Sequence, residues 1–401
     1  MDHFFGRRPI FTPVGDLHAY GLIVRPLDPE GLPRHGNRDV AAARLMVKAF
    51  LDHGAFLVST GVPIVVPVSQ AFIDAPELIC WPQRQVILAV PEVVAAEPSV
   101  APRLEKLLDL GYRIALDDCD PSLAESPFRD RATVVAVDAA GHALSDVRDL
   151  VKQVAELEAQ VLATNVADPG RLRELCEAGV TLFQGDYWKG GDELSAVTQV
   201  PGNRLAILGL LVELSDPGCP IERVCDLVAM DSSLTLRLLQ YINSPISGIA
   251  GSVSSLKHAV VMVGLNTIKN WVMLLAVADI GVTRVEAVRA ALVRARFCQL
   301  LAAELGQPDG DTYFTAGLIS LLDSIVGIPM SQILSGTSLT DEIKSAVLEG
   351  AGPLGQAVYL AIDLEEGVIT RSPEDIPVPL DRMAELYIDA IAWTAQTTAI
   401  L

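Results

Sequence analysis

The sequence predicts two folds in series, α/β followed by all-α: a (β/α) barrel over residues 1–190 and a helical domain over residues 204–401, joined by a lead-in at 191–203. Three observations predict this. Short apolar runs, several of them β-branched, alternate with helical patterns throughout the first half, as in parallel sheets with crossover helices. Several of these runs end in polar residues, most sharply at Ile114-Ala-Leu-Asp117-Asp118, and barrels carry their chemistry at such strand ends. After the turn-rich stretch Lys189-Gly-Gly-Asp-Glu-Leu-Ser the hydrophobic period becomes helical, and no strand series returns. A doubly wound sheet is the second architecture, but no GxGxxG follows any strand.

Each element has its own signal. Residues 22–24 are an apolar run stopped by Arg25-Pro26. Residues 40–53 read as a helix, with Ala43, Met46, Val47 and Phe50 on one face. Residues 63–68 and 86–90 are strand candidates. Residues 102–110 form a helix ended by Gly111, which leads into the strand at 114–116. Strands follow at 133–138, 160–164 and 180–184, separated by helices at 146–159 and 168–178, the second with Pro169 in its first turn.

The second half contains helical patterns at 205–214 and 220–229. A third helix, capped by Asp231, puts Leu234, Leu238, Leu239 and Ile242 on one face. A fourth starts at Ser254 or Ser255, carries Leu256, Ala259, Val260 and Val263, and stops at Gly264. A fifth starts at Thr267. Helices continue over 284–305, 312–324, 329–333 and 340–349; residues 350–355 and 372–379 read as loops, and a last helix begins near Asp381.

Bulk properties restrict the partners. Fifty acidic against thirty basic residues give a formal charge of -20, which repels a phosphate backbone and argues against nucleic acid. The apolar runs at 62–68 and 272–278 are far shorter than the about 20 residues of a spanning helix. No secretory h-region opens the chain, so a soluble cytoplasmic protein is expected, without membrane insertion. The six cysteines have neither CxxC nor zinc spacing and read as reduced, packed thiols.

Asp117, Asp118, Asp138, Thr164, Asn165 and Gln184 lie at or after strand ends, and Glu92 lies two residues beyond the strand at 86–90. In a barrel they would converge on one mouth, where carboxylates suit a divalent cation that activates water for phosphodiester hydrolysis. Strand-end acids can equally be solvated or cap the next helix.

Five stretches, in order, resemble the EAL domain, a barrel family that hydrolyses or senses cyclic diguanylate. They are Arg8-Pro-Ile-Phe with Ala19-Tyr-Gly-Leu-Ile-Val-Arg; Val86 to Glu92; Gly111 to Asp120; Val135-Ala-Val-Asp138; and Phe183-Gln-Gly-Asp-Tyr. The resemblance also shows departures. Gly21 stands for the signature Glu, Pro67 for the second-strand Asn, Ala89 for the first Glu of Glu-x-x-Glu, and Ala136 for the Lys of Lys-x-Asp. Thr164 and Ala167 stand for a further pair of glutamates. Asp117, Asp118, Asp138, Glu92 and Gln184 persist. A two-metal site needs its anionic ligands together, so the resemblance implies a degenerate barrel with no catalytic residues, no metal and no cofactor.

Asp231-Ser-Ser-Leu-Thr-Leu-Arg-Leu-Leu-Gln-Tyr-Ile-Asn-Ser, Val253 to Ile268, and Ala316-Gly-Leu-Ile-Ser-Leu-Leu-Asp resemble the HDOD domain, a helical relative of the HD metal phosphohydrolases. Where an HD enzyme would have its His-Asp doublet, this chain has Ser320-Leu321, and His258 is the one histidine of this half. Asn243, Ser244 and Asn266 fit cap and turn chemistry, and Trp271, Tyr387 and Trp393 fit core anchors. The two resemblances imply a non-catalytic signalling scaffold that binds protein partners, with cyclic diguanylate not bound and homo-oligomerisation left open. The alternatives are a metal-dependent cyclic diguanylate phosphodiesterase using Asp117, Asp118, Asp138 and Glu92, or a sensor that binds without turnover.

Overall fold

A computed structural model describes residues 3–26, 61–68, 73, 81–122, 128–188, 210, 213–214, 218–229, 232–244, 253, 255–280, 285–335, 339–367 and 378–399. The helices expected at 40–53 and over most of 205–214, the lead-in at 191–203, Asp231, Ser254, Cys80 and most of the loop at 372–379 lie outside these residues. Contacts divide the chain into two units, Met1–Trp188 with Leu364–Ala384, and Lys189–Asp363 with Glu385–Leu401.

The first unit is a closed eight-stranded barrel, in sequence order around the ring: β1 (His3–Phe11), β2 (Leu17–Pro26), β3 (Ile64–Pro67), β4 (Val86–Pro91), β5 (Arg113–Asp117), β6 (Val134–Asp138), β7 (Gln160–Val166) and β8 (Leu182–Gly185). Strands β2 to β8 are parallel neighbours. The expectation of parallel strands throughout fails at one place. β1 is antiparallel to both β2 and β8, because a five-residue turn, with Thr12 N–H donating to Asp16 O and Gly15 N–H to Thr12 O, can join only antiparallel strands.

Helices α1 (Glu92–Ala95), α2 (Ala101–Asp109), α3 (Leu144–Val154) and α4 (Pro169–Glu177) accompany the later strands. Gly111, at φ +91°, makes the left-handed exit after α2 that the sequence predicts. Asp168 caps α4 by accepting from Arg171 N–H, with Pro169 in the first turn. Inward residues alternate along each strand: Ile87 and Ala89, Val134 and Ala136, together with Ile10, Ala19, Ala115, Leu162 and Leu182, form the packed interior. Three of these are alanines on adjacent strands β4, β5 and β6, so the floor beneath the mouth is shallowly filled.

The second unit is helical in its described residues: α5 (Ile221–Ala229), α6 (Ser232–Ile242), α7 (Leu256–Val263), α8 (Leu265–Ile280), α9 (Val285–Glu304), α10 (Gly310–Ile319), α11 (Leu322–Val326), α12 (Met330–Ser335), α13 (Asp341–Glu349), most of α14 (Gly352–Glu366) and most of α15 (Leu380–Thr398). Ser255 caps α7 and Gly264 ends it at φ +90°. Two expectations are corrected. The single helix expected over 312–324 is broken, because Ser320 Oγ donates to Gly317 O and Leu321 leaves helical geometry at φ -122°, ψ 12°. Residues 350–355 are not all loop: Gly350 ends α13 in the left-handed region, and α14 already starts at Gly352, with Pro353 in its first turn where no N–H donor is needed.

Candidate functional site at the barrel mouth

The pleat decides which candidates face the interior. Asp117, Asp138, Thr164, Gln184, Gly21, Pro67 and Ala89 each stand an even number of residues from an inward residue of the same strand. A cavity of about 90 Å³ opens there, lined among others by Gly21, Pro67, Ala89, Asp117, Thr164 and Gln184. Of the five sequence candidates, the mouth thus brings Asp117 and Gln184 to one cavity.

The other three do different work. Asp118 takes a left-handed φ of 50°, its N–H donates to Asp117 Oδ1 at 3.1 Å, and it is exposed and absent from the cavity lining. Asp138 is absent from the cavity lining; its Oδ1 accepts from Asn165 Nδ2 and from Ala140 N–H, both at 3.0 Å. Glu92, expected at the mouth, starts α1 and is 2% exposed. Arg129 donates to it through Nε at 2.7 Å and Nη2 at 3.1 Å, and Asp120 N–H donates to Oε2 at 3.1 Å. The same guanidinium reaches Asp120 O at 2.9 Å and Gln153 Oε1 at 2.8 Å. The bidentate pair satisfies the charge of Glu92 with an internal cation. Asp120 Oδ1 accepts from Ser122 N–H and Oγ, so the expected capping is a local turn in the described residues.

Gly21, which stands for the signature Glu, faces a filled space. A Cβ added there would lie 2.5 Å from Gln184 Nε2, so the Gln184 amide occupies the room a larger side chain would need. Thr164, at the end of β7, donates to Val137 O at 3.3 Å and is registered beside Asp138.

Burial first, and the charge of Asp118 second, push the Asp117 carboxyl above the usual carboxylate range. A raised acid holds more protons when folded than when unfolded, so stability falls as pH climbs from its unfolded value of about 3.9 through the raised one. Asp117→Asn is therefore expected to be more stable than the parent at pH 7, with the difference vanishing at pH 3. Thermal melts of both proteins across that range check it; equal stability at pH 7 would contradict it.

The described residues do not bring together a donor set for a resident divalent metal. Among the described residues no three His, Cys, Asp or Glu side chains come together as a metal-holding group. Among the described residues Asp117 is the one carboxylate that lines the cavity, and Glu92 is already paired. At the doublet position of the helical unit, Ser320 accepts from the buried guanidinium of Arg294, through Nη1 at 3.3 Å. Asp323 nearby is raised by burial, an effect opposed by Ser324 and Arg294. A fixed cation thus stands beside Ser320, at the place where an HD enzyme would have its doublet.

The other residues singled out in the sequence have structural partners or exposed positions. His258 is exposed on α7. Asn243 closes a turn, donating to Leu239 O and Val253 O and accepting from Val253 N–H. Asn266 lines a second cavity of about 380 Å³. That cavity's polar wall is joined to itself: Asp311 accepts from Asn270 and Gln299, and Thr315 donates to Asn270 Oδ1. Trp271 packs edge-on to Tyr241, Trp393 to Phe314 and Tyr387 to Phe297, all core contacts of the helical unit. Sequence reasoning missed Arg129 and Arg294, the two cations that occupy the polar positions, since neither carries a motif. The five described cysteines are free thiols.

Barrel and helices define a two-domain protein of a known kind. Residues 70–190 match the family model of the EAL domain and residues 200–332 that of the HDOD domain, and the chain is an EAL–HDOD protein. It is 24% identical over 405 residues to the uncharacterized protein YuxH of Bacillus subtilis, covering 98% of each chain. It is 27% identical over 374 residues to the cyclic di-GMP phosphodiesterase CdgJ of Vibrio cholerae, covering 90% of this chain and 84% of that one. Among solved structures, the EAL domain of FimX from Pseudomonas aeruginosa, bound to c-di-GMP, is 19% identical, with a TM-score of 0.36 over 47% of this chain and 90% of that chain. No helix among the described residues is long and apolar enough to cross a membrane.

Proposed function

We propose that this chain is a non-catalytic adaptor in cyclic diguanylate signalling, acting through protein–protein contacts from a cytoplasmic location. The two-domain layout, shared with the relative CdgJ, supports the signalling role. The observation that carries the loss of catalysis is the commitment of Glu92 to Arg129, which removes one of the few surviving carboxylates from any metal. The lack of a side-chain ligand at Gly21 supports it independently. The sequence boundaries 1–190, 191–203 and 204–401 are proposed for the two domains and their lead-in, with Leu364–Ala384 grouped by contact with the barrel.

A cavity of about 90 Å³ also supports the absence of nucleotide binding, because drug-sized ligands need pockets of about 300–1,000 Å³. Calorimetric titration of the full chain with cyclic diguanylate tests this part, with no heat and no thermal shift expected. Saturable binding without hydrolysis would replace it with the sensor reading. The phosphodiesterase reading is favoured by the identity to CdgJ and by Asp117 in the cavity. It requires donors that the described residues do not bring together. Gly21→Glu is expected to leave hydrolysis absent, since Pro67, Ala89 and Ala136 still supply no ligand; liquid chromatography of the nucleotide after incubation with Mn²⁺ checks it.

A further inference from the structure

The rim of the barrel mouth is occupied by the chain itself. Within the barrel unit, the segment Leu364–Ala384 brings Glu366 and Gly367 onto the β1–β2 hairpin. Arg8 Nη2 donates to Glu366 O at 2.5 Å. Gly367 lies so close to β2 that an added Cβ would stand 2.7 Å from both Cδ1 and Cγ2 of Ile23. Arg8 is registered opposite Gly21, and Ile23 lines the mouth cavity two residues further along β2. The two contacts come from different strands and differ in kind, one a charge-assisted hydrogen bond and the other close packing, yet both flank Gly21.

The chemistry suits a helix end. The last carbonyls of α14 have no donors within the helix and carry its partial negative charge, so a guanidinium is their natural partner. Gly367 comes next at φ +71°, the left-handed turn that ends a helix and presents those carbonyls. Arg8, inward-facing like Ile10 two residues on, spends a hydrogen bond on a peptide carbonyl.

We propose that the barrel rim at Arg8 and Ile23 is a docking site within the barrel unit, and that the turn at Glu366–Gly367 is its resident ligand. The site takes a backbone carbonyl and a glycine, not a nucleotide. This assignment goes beyond the adaptor reading and does not depend on it.

Hydrogen exchange on the full-length chain tests the coupling. Gly367→Asn keeps the left-handed φ accessible and adds a side chain that meets Ile23. Exchange is expected to rise about tenfold, equivalent to about 1.4 kcal/mol, at amides 364–367 and 21–23 together. Adding Ile23→Ala to the same chain is expected to return both towards the parent, as contacting sites couple. The amides of β5 and the far-UV circular dichroism should stay unchanged. If Gly367→Asn unfolds the barrel, Arg8→Ala is read the same way, with the same joint rise expected. Unchanged exchange, a rise at 364–367 alone, or no recovery in the double variant would overturn the proposal.

Discussion

Arg129→Met is expected to destabilise the barrel unit by about 3–5 kcal/mol, the cost of leaving a buried partner charge unpaired. Glu92 is 2% exposed and Arg129 5%, so solvent screens neither. The guanidinium also ties the start of α1 to Asp120 O and to Gln153 on α3, and its loss would strand acceptors on three elements. Glu92→Gln in the same chain removes the uncompensated charge and is expected to recover part of the loss. Urea midpoints for the parent, Arg129→Met and the double variant check both statements. An Arg129→Met chain as stable as the parent would show that the pair holds nothing, and Glu92 would then be free to bind a cation.

Gly317→Val is expected to cost the helical unit about 3 kcal/mol, at the upper end for overpacking. A Cβ at Gly317 would stand 2.7 Å from Ala295 Cα, Ala295 N and Arg294 O. All three are backbone atoms of α9, which cannot swing aside as a side-chain tip can. The sign is the informative part. Glycine to alanine inside a helix normally gains about 1 kcal/mol; here Gly317→Ala should lose stability too, because contact between α9 and α10 outweighs propensity. Equilibrium denaturation of the two variants gives the answer, and a more stable Gly317→Ala would refute the close approach.

How much was legible depends on where the signals lie along the chain. Strands β4 to β8 are short apolar runs bounded by turns, and the strand ends at Asp117, Asp138 and Gln184 could be read almost to the residue. β1 could not be read from its period, because Arg7, Arg8 and Pro9 interrupt the hydrophobic run; proline is tolerated there because its partner Tyr20 turns its N–H to Pro63 O, so the β1–β2 ladder needs no donor at residue 9. The helix break at Ser320 depends on a hydroxyl bonding back to Gly317 O, which composition does not reveal.

At the mouth, the departures from the EAL pattern at Gly21, Pro67, Ala89 and Ala136 were visible as residue types. The partners taken by the polar residues that remain were not. Arg129 reaches Glu92 across 37 residues, and Gln184 meets Gly21 only once the barrel is closed. Asp118 looked like half of a cavity-lining carboxylate pair, yet it is exposed and Asp117 alone of the two lines the cavity. Local sequence carries strand identity and facing; it does not carry which side chain arrives from a strand or loop distant in sequence.

The chain is expected to leave cyclic diguanylate unhydrolysed, and a turnover assay decides the matter. Purified full-length protein is incubated with cyclic diguanylate in Mg²⁺ and, separately, in Mn²⁺, and the nucleotide is resolved by liquid chromatography. The predicted result is cyclic dinucleotide recovered intact under both conditions, identical to a sample of Asp117→Ala. Linear product from the parent chain, abolished in Asp117→Ala, would contradict the account and restore the barrel mouth as an active site.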